Sequence, residues 1–463
     1  HDPTPYLYDA VRKQVQNRPV EALEDIDRSI ELNDNRAVYR SRLRLDEDSA
    51  TRRISLARTY LDGGFDRLAV DEAAKSLAAD SVNSSAHRFL ADYYLTSPRH
   101  EMARNSELLQ SQLLQPLNNS PAQPRLSVQG LAFVDQSLFI SLGANEYSQL
   151  MTKKGLSLYA DAGAGSWNSY ATSVALSGLG ESAAFSLGYF ALGSDGFREN
   201  NDRKYSTANA FVQIAATPDT SVQAELRRID KRTGDTTLTF FDAENFNPSQ
   251  REQLTSTAGR LGLRHNFSPA SVLLASYVYR RQDDTLDAPD FELTARERES
   301  VQMAELRQIY QGTSAALTGG FGVAGGTSTQ SLESPFDPVS ASDSRIREFN
   351  AYAYYTGNVA PGLDVTAGLS FDSYEDADTR RQVWNPKLGV LWSPTPQTTL
   401  RLAAFRAFKR RVVSDQTLEP TTIVGFNQFF SGINDLNGTE SELVGASIAH
   451  RLDRRVSVGS EIS

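Results

Sequence analysis

From about residue 150 onward, apolar and polar side chains alternate with a period of two. Phe185, Leu187, Tyr189 and Ala191 interleave with Ser186, Gly188 and Phe190. Ala210, Val212, Ile214 and Ala216 interleave with Phe211, Gln213 and Ala215, and Val222, Ala224 and Leu226 with Gln223, Glu225 and Arg227. The same rhythm runs through Leu261–Arg264, Val365–Asp372 and Leu400–Ala404. Period two puts alternate side chains on opposite faces of a strand. About fifteen such runs are present, each near the ~9–11 residues that a tilted strand needs to cross a bilayer. Short connections at 180–182, 217–220, 268–271, 360–362, 393–396 and 452–455 alternate with long polar ones at 193–205, 230–256, 281–300, 325–345 and 409–441. That alternation predicts an antiparallel transmembrane β-barrel over residues 151–463, with short turns on one side and long loops on the other. The last run, 456–463, ends without a closing aromatic. We therefore expect a missing C-terminal part with at least one further strand.

The first 117 residues follow another rule. Ile54-Ser55-Leu56-Ala57-Arg58-Thr59-Tyr60 is echoed by Arg88-Phe89-Leu90-Ala91-Asp92-Tyr93-Tyr94. Leu56 and Leu90, Ala57 and Ala91, Tyr60 and Tyr94, and Ala69 and Ala103 each lie 34 positions apart. A period of ~34 residues is that of the tetratricopeptide (TPR) helical hairpin. Gly64 marks the turn inside one unit, Pro98 stands at the matching place in the next, and Ala22, Ile26, Ser29 and Ile30 suggest a degenerate earlier unit. TPR arrays present a concave groove to a partner. Ile54, Arg58, Asp62, Arg88 and Asp92 are the expected groove positions, with solvated helix-face charges as the plainer alternative. Residues 118–150, opened by the prolines at 116, 121 and 124, are expected to link the two regions. The predicted fold is thus multidomain: an α-helical TPR repeat (1–117), a linker (118–150), and an outer-membrane β-barrel (151–463).

Composition narrows the function classes. Apolar residues make up 40% and charged residues 22%. No segment has the ~20 apolar residues of a membrane helix, whereas a barrel keeps its mean hydropathy low by alternation. A net charge of −10 argues against nucleic acid as a partner. The chain has no cysteine, so disulfides and thiolate metal sites are out. Gly320-Phe321-Gly322-Val323-Ala324-Gly325 spells GxGxxG, but no βαβ pattern surrounds it. His100-Glu101 opens like a zinc-protease helix, yet Arg104 stands where the second histidine belongs. Asp435–Glu440 has oxygen donors for Ca²⁺ but reads first as an Asn-Gly turn. We expect no enzyme, no cofactor and no metal site.

Arg227, Arg264 and Arg401 fall on the polar phase of their strands and are expected to line a lumen, favouring anionic solutes. Tyr277, Tyr279, Tyr352, Tyr354, Tyr355, Phe405 and Phe408 are candidates for an interfacial girdle. Phe426, Phe429 and Phe430 fall in the long 409–441 loop, packed within it or open to a ligand such as a glycan.

Three segments carry a resemblance. Asn385–Pro394 followed by Thr399–Arg410 resembles a barrel hairpin of TonB-dependent outer-membrane receptors, and Ser194–Asp202 is similar to a loop of that family. Asn33–Leu43 resembles TPR proteins that carry a TonB-receptor-like barrel, described as components of the TonB system. The resemblance implies a bacterial outer-membrane location and transport. It also implies an N-terminal plug and a TonB box, and the TPR region stands where the plug belongs. The expected function is an outer-membrane, porin-like transporter for a small solute or polysaccharide, set in outer-membrane lipid. Its N-terminal domain would lie in the periplasm and dock a periplasmic protein. The alternatives are a TonB-linked receptor-type importer and a secreted, soluble β-rich binding protein.

Overall fold

The computed structural model describes residues 2–38, 40–95, 97, 100–116, 154–237, 246–334, 337–376, 379–430, 436–452 and 456–463. The linker expected at 118–150 and the turn at Pro98 lie outside them. Six helices come first: α1 (Thr4–Val15), α2 (Pro19–Glu31), α3 (Arg42–Asp62), α4 (Asp66–Ala79), α5 (Ser84–Leu95) and α6 (Glu101–Leu114). They pack as consecutive pairs, α1 with α2, α3 with α4 and α5 with α6. Proline fits the first turn of α2, where its missing N–H is no loss, and the Ser41 hydroxyl caps α3 by accepting from the Arg44 amide. Gly64 takes φ +78° between α3 and α4, a left-handed turn that suits glycine. Small residues let the pairs approach: Ala57, Ala69, Ala73, Ala86 and Ala103 are fully buried with Ile54, Phe89, Leu90 and Tyr94. The 34-residue echo is spatial as well. Leu56 of α3 packs on Ala10, Ala22 and Ile26 of the first pair, and Leu90 of α5 packs on the second. Ile54 is therefore a core residue and not a groove residue, because it faces α4 and α5.

Strands follow: β1 (Gly155–Gly165), β2 (Ser169–Leu179), β3 (Ala183–Ser194), β4 (Arg203–Thr217), β5 (Thr220–Thr233), β6 (Arg251–Ser268) and β7 (Ser271–Ala288). Then come β8 (Leu293–Gln311), β9 (Ala315–Ser334), β10 (Asp337–Ala360), β11 (Leu363–Asp376), β12 (Thr379–Thr395) and β13 (Thr398–Phe408). The short β14 (Thr422–Ile423) and β15 (Phe426–Asn427) form a ribbon of their own, before β16 (Glu440–Arg451) and β17 (Ser457–Ile462). All but that ribbon join one antiparallel sheet of 15 strands in sequence order, with β1 and β17 at its edges. Among the described residues no pairing joins the two edges.

Two expected loops prove to be strand. Residues 281–300 continue β7 and β8 around a tight turn at Pro289–Phe291, and 325–345 belong largely to β9 and β10. These strands run to 18, 19, 20 and 24 residues, well past the ~9–11 that span a bilayer. Their outer halves are polar on both faces, so the period-two apolar signal vanishes while the backbone ladder continues.

The two faces of the sheet are inverted relative to a soluble protein. On β4, Tyr205, Thr207, Asn209 and Gln213 are buried while Ala208 and Ile214 are exposed. On β5, Ser221, Gln223 and Glu225 are buried while Val222 and Leu226 are exposed. Leu261, Phe321, Val323, Leu369, Leu388, Leu402 and Val444 continue the exposed apolar face. Polar inside and apolar outside is the arrangement of a wall that meets lipid. Phe321 is 48% exposed on that wall. Phe321→Arg should destabilise the protein folded in a bilayer by about 2–4 kcal/mol if the site lies at mid-depth, measured by urea unfolding in lipid vesicles. An unchanged unfolding midpoint would count against the lipid-facing assignment.

Candidate functional site

The concave, polar face of the sheet is filled by two elements. One is the α5–α6 hairpin. The other is the segment 409–430, which folds inward between β13 and β16. The expected outer loop at 409–441 is in this part a lining of the interior: Val412, Val413, Leu418, Ile423 and Phe426 are all buried. Its aromatic Phe426 packs with Tyr352, Tyr354, Ala403 and Phe405 of the wall, not merely within the loop.

Helix α6 is buried on nearly every side, though more than half its residues are polar. Its apolar positions meet apolar patches of the wall. Met102 packs with Val278, Val301, Met303 and Ile346, and Leu109, Leu113 and Leu114 pack with Val272, Leu274 and Ile309. Its polar positions meet the inward-facing amides and guanidiniums of the strands. Arg307 donates to Gln110 Oε1 (2.5 Å) and to the Leu418 carbonyl (3.1 Å). Arg260 donates to Gln112 Oε1 (2.9 Å), Gln223 to the Gln112 carbonyl, and Gln115 to Gln213 Oε1 (2.9 Å). Arg264 donates to the Leu114 carbonyl (2.7 Å), placing a cation at the C-terminal end of the helix, where the dipole favours it. Buried polar groups of this kind are tolerable only when paired, and the side-chain oxygens of Gln110 and Gln112 each accept from an arginine of the wall.

The inward segment is held by charge. Arg410 bonds Glu419 (3.0 Å) and Thr417 (2.8 Å). Glu305 accepts from the Thr417 hydroxyl (2.6 Å) and the Leu418 amide (2.9 Å). Arg411 reaches Glu299 at 2.5 Å. The segment also touches the hairpin directly: the Thr417 amide donates to Ser106 Oγ (3.1 Å), and Thr421 bonds Glu107, which in turn pairs with His87 at 2.5 Å.

At the end of the sheet that carries the short turns, Arg401 is 1% exposed on its side chain and lies 2.6 Å from Asp71 of α4. It also reaches Glu461 of β17 (2.7 Å) and sits 5.0 Å from the centre of the Phe426 ring. A second pair, Arg451 with Asp27 of α2 (2.6 Å), fastens the same end. Burial outweighs the neighbouring Arg401 and pushes the Asp71 carboxyl up to about 6.

The three expected lumen arginines all lie on the interior face, but none faces open water. Arg401 is committed to Asp71 and Arg264 to α6. Arg227 bonds Glu225 (2.5 Å) at the wall of a cavity of about 280 Å³, shared with Arg104, Tyr205, Arg280 and Asp415. Burial and the neighbouring Arg227 push Arg104 down to about 10. The four expected groove charges form two one-turn pairs. Arg58 precedes exposed Asp62 on α3, and Arg88, buried, lies 3.4 Å from Asp92 on α5. Of the expected girdle, Tyr277, Tyr279 and Tyr355 are exposed outward. Tyr352, Tyr354 and Phe405 are buried on the interior phase instead, and Phe408, the last residue of β13, is buried against Tyr374 and Val383. The GxGxxG stretch is strand β9, where a side chain at Gly322 would come 2.4 Å from Asn350 Oδ1.

The model of the family described as "TonB dependent receptor-like, beta-barrel" matches residues 184–441, more than half of the chain. The chain belongs to the TonB-dependent receptor-like β-barrel family. Its structural neighbours agree in fold. The alcaligin outer-membrane receptor FauA of Bordetella pertussis superposes with a TM-score of 0.50 at 13% identity, over 67% of this chain and 51% of that one. The ferric yersiniabactin uptake receptor FyuA of Yersinia pestis gives 0.51 at 13%, over 65% and 52%. The ferripyoverdine receptor of Pseudomonas aeruginosa gives 0.51 at 14%, over 67% and 48%. The chain thus spans about half the length of these receptors. No curated protein matches it. Membership of the TonB-dependent receptor-like family places the sheet in the outer membrane, and the helical N-terminus stands plug-like against its inner face.

Removing one partner of the Asp71–Arg401 pair leaves a buried charge alone. Arg401→Ala should cost about 3–5 kcal/mol of stability, read from chemical unfolding of the full chain in detergent. The raised Asp71 carboxyl sets the sign of a pH effect. Its contribution to stability is full below the ordinary pKa of 3.8 and is lost as pH rises through about 6. Asp71→Asn should flatten that part of the stability profile, followed by melting temperature between those two values.

Proposed function

We propose that this protein is a receptor-type outer-membrane transporter whose passage is closed by its own α5–α6 hairpin and inward segment 409–430. The observation that carries this reading is the paired polar seam between α6 and the wall, Gln110, Gln112 and Gln115 against Arg307, Arg260, Gln223 and Gln213. A seam of amides and guanidiniums seals the lumen at rest, yet each bond has a watery alternative. Net gains are about 0.5–1.5 kcal/mol for an amide–amide bond and about 1.5–3 kcal/mol for a bond to a guanidinium, so the seam can part bond by bond under an applied pull. A permanently open, porin-like pore fits the filled interior less well. We read the protein as non-enzymatic.

In this proposal the short-turn end faces the periplasm, and α1–α4 stand there as TPR-type pairs that dock a periplasmic protein. The 34-residue spacing of Leu56 with Leu90 and of Ala69 with Ala103 supports that part. The cargo is a small solute taken inward with energy from TonB, by likeness of fold to receptors for ferric yersiniabactin and ferripyoverdine.

The purified protein in a planar bilayer should show no steady conductance, and a variant lacking residues 411–430 should conduct. A large, constant conductance from the unaltered chain would overturn the closed-passage reading. Uptake that persists unchanged in cells without TonB would overturn the energised-import part alone.

A further inference from the structure

The elements that close the interior meet at one buried pair. His87 of α5 and Glu107 of α6 are 4% and 1% exposed. His87 Nδ1 lies 2.5 Å from Glu107 Oε2, and His87 Nε2 lies 3.2 Å from the Ser81 carbonyl in the turn between α4 and α5. The Thr421 hydroxyl of the inward segment donates to Glu107 Oε1. Ser81 is itself tied to the wall, where its hydroxyl donates to Gln311 Oε1 (3.0 Å) at the end of β8. Turn, hairpin and inward segment thus converge on a single imidazole–carboxylate contact.

A neutral imidazole has one N–H and one lone pair. Here both ring nitrogens face oxygens, and the Ser81 carbonyl can only accept. Both contacts are hydrogen bonds only when the pair carries one proton beyond those of a neutral imidazole and an ionised carboxylate. That proton sits on the imidazole, with Glu107 ionised, or on Glu107, with Nε2–H turned to Ser81. The Thr421 hydroxyl, which donates to Glu107, suits the first arrangement. Without the proton, a lone pair faces an oxygen at one of the two contacts, and Glu107 is a buried charge that has lost its partner.

The proton has a way out. A cavity of about 100 Å³ at the short-turn end is lined by His87, Glu107, Gln110 and Arg307 and by the hydroxyls of Thr318 and Thr356. It has room for several waters, and Ala78 and Asp364 at its rim are only half-buried. Other charged or titratable groups face the pair. Asp80, pushed up to about 6 by burial, stands beside His87, with Glu47 next to it. Arg307 and Tyr94 face Glu107.

We infer that closure of the passage is proton-linked: the His87–Glu107 pair is a latch that holds one proton while α6 and segment 409–430 are in place and gives it up to the short-turn side when they part. On opening, one N–H bond of the imidazolium breaks, the ring keeps the electron pair, and the proton passes to water in the cavity. An imidazole in water holds its second proton only below pH ~6.5. The closed state then binds one proton more than an open state in which His87 is wetted. Linkage fixes the sign: closure is firm in acid and loosens as pH rises past that value, by about tenfold per pH unit at the one-proton limit. The inference rests on the closed-passage reading and is independent of the cargo.

The chain has no cysteine, so Ser111→Cys, at a buried position of α6, reports withdrawal of the helix. The test uses the full chain in nanodiscs. At each pH the maleimide labelling rate is divided by that of the same cysteine in the urea-unfolded chain, which removes the thiol's own titration. Between pH 7 and 8.5 the ratio should climb severalfold per unit, with about tenfold as the limit. Asp71 and Asp80, both near 6, have largely titrated before that range begins. His87→Gln and Glu107→Gln, each added to the reporter, should give a flat ratio, and Asp80→Asn should leave the climb in place. The unaltered pair decides even where a variant fails to fold: a flat ratio there overturns the inference. An equal climb in both glutamine variants overturns it as well. Steady conductance from the unaltered chain would overturn the closed passage alone, since the ratio reads only the contact of α6 with its surroundings.

Discussion

Every backbone N–H and C=O of a segment that crosses lipid must find its partner within the protein, because hydrocarbon offers none. The rest of this structure follows from how the sheet meets that demand. Fourteen consecutive antiparallel pairings, from β1–β2 through β16–β17, bind the wall strand to strand. With the ladder satisfied, the side chains are free to sort by face. Leu226, Leu261 and Phe321 go outward, and Gln223, Arg260 and Arg307 go inward. The polar inner face then requires a polar filling, and α6 supplies it.

The filling is unusual in kind. A helix buried all round is normally apolar, yet α6 presents Ser106, Glu107, Gln110, Ser111 and Gln112 to its surroundings. Two apolar clusters, around Met102 and around Leu109 and Leu113, fix its height in the lumen. The amide and guanidinium contacts between them fix its rotation. Further ion pairs fix the ends: Arg401 with Asp71 and Arg451 with Asp27 at the short-turn end, Arg410 with Glu419 within the inward segment, and Arg411 with Glu299 of the wall. Single guanidinium and amide contacts along α6, with ion pairs at the short-turn end and on the inward segment, give a filling that is specific in position.

Much of the wall was legible in the sequence. Period-two alternation identified the strands and their approximate number, and the apolar phase identified the face that meets lipid. The long arms of β7–β10 were not, because a strand wetted on both faces has no apolar phase to read. The helical pairs were visible through Leu56, Leu90, Ala69 and Ala103, since close packing of helices restricts those positions to particular sizes. Arg264 and Arg401 were found from strand phase alone. Arg260 shares the phase of Arg264 but was not singled out, although the same signal points to it. The inward course of 409–430 left no local trace. Arg410, Thr417 and Glu419 are polar residues in a long connection, and only the carboxylates of distant strands give them their places.

The bond between Ser106 and Thr417 joins residues 311 positions apart. It closes over the helical hairpin from the far side of nearly the entire wall. The hairpin is synthesised before any strand, and its last partner, the inward segment, comes after thirteen of them. Contacts of such sequence separation also form late, after most of the loop-closure entropy has been spent. Until segment 409–430 folds in, the growing sheet exposes Gln213, Arg260 and Arg307 on one face and an apolar surface on the other. An intermediate that exposes both surfaces to water is prone to aggregate.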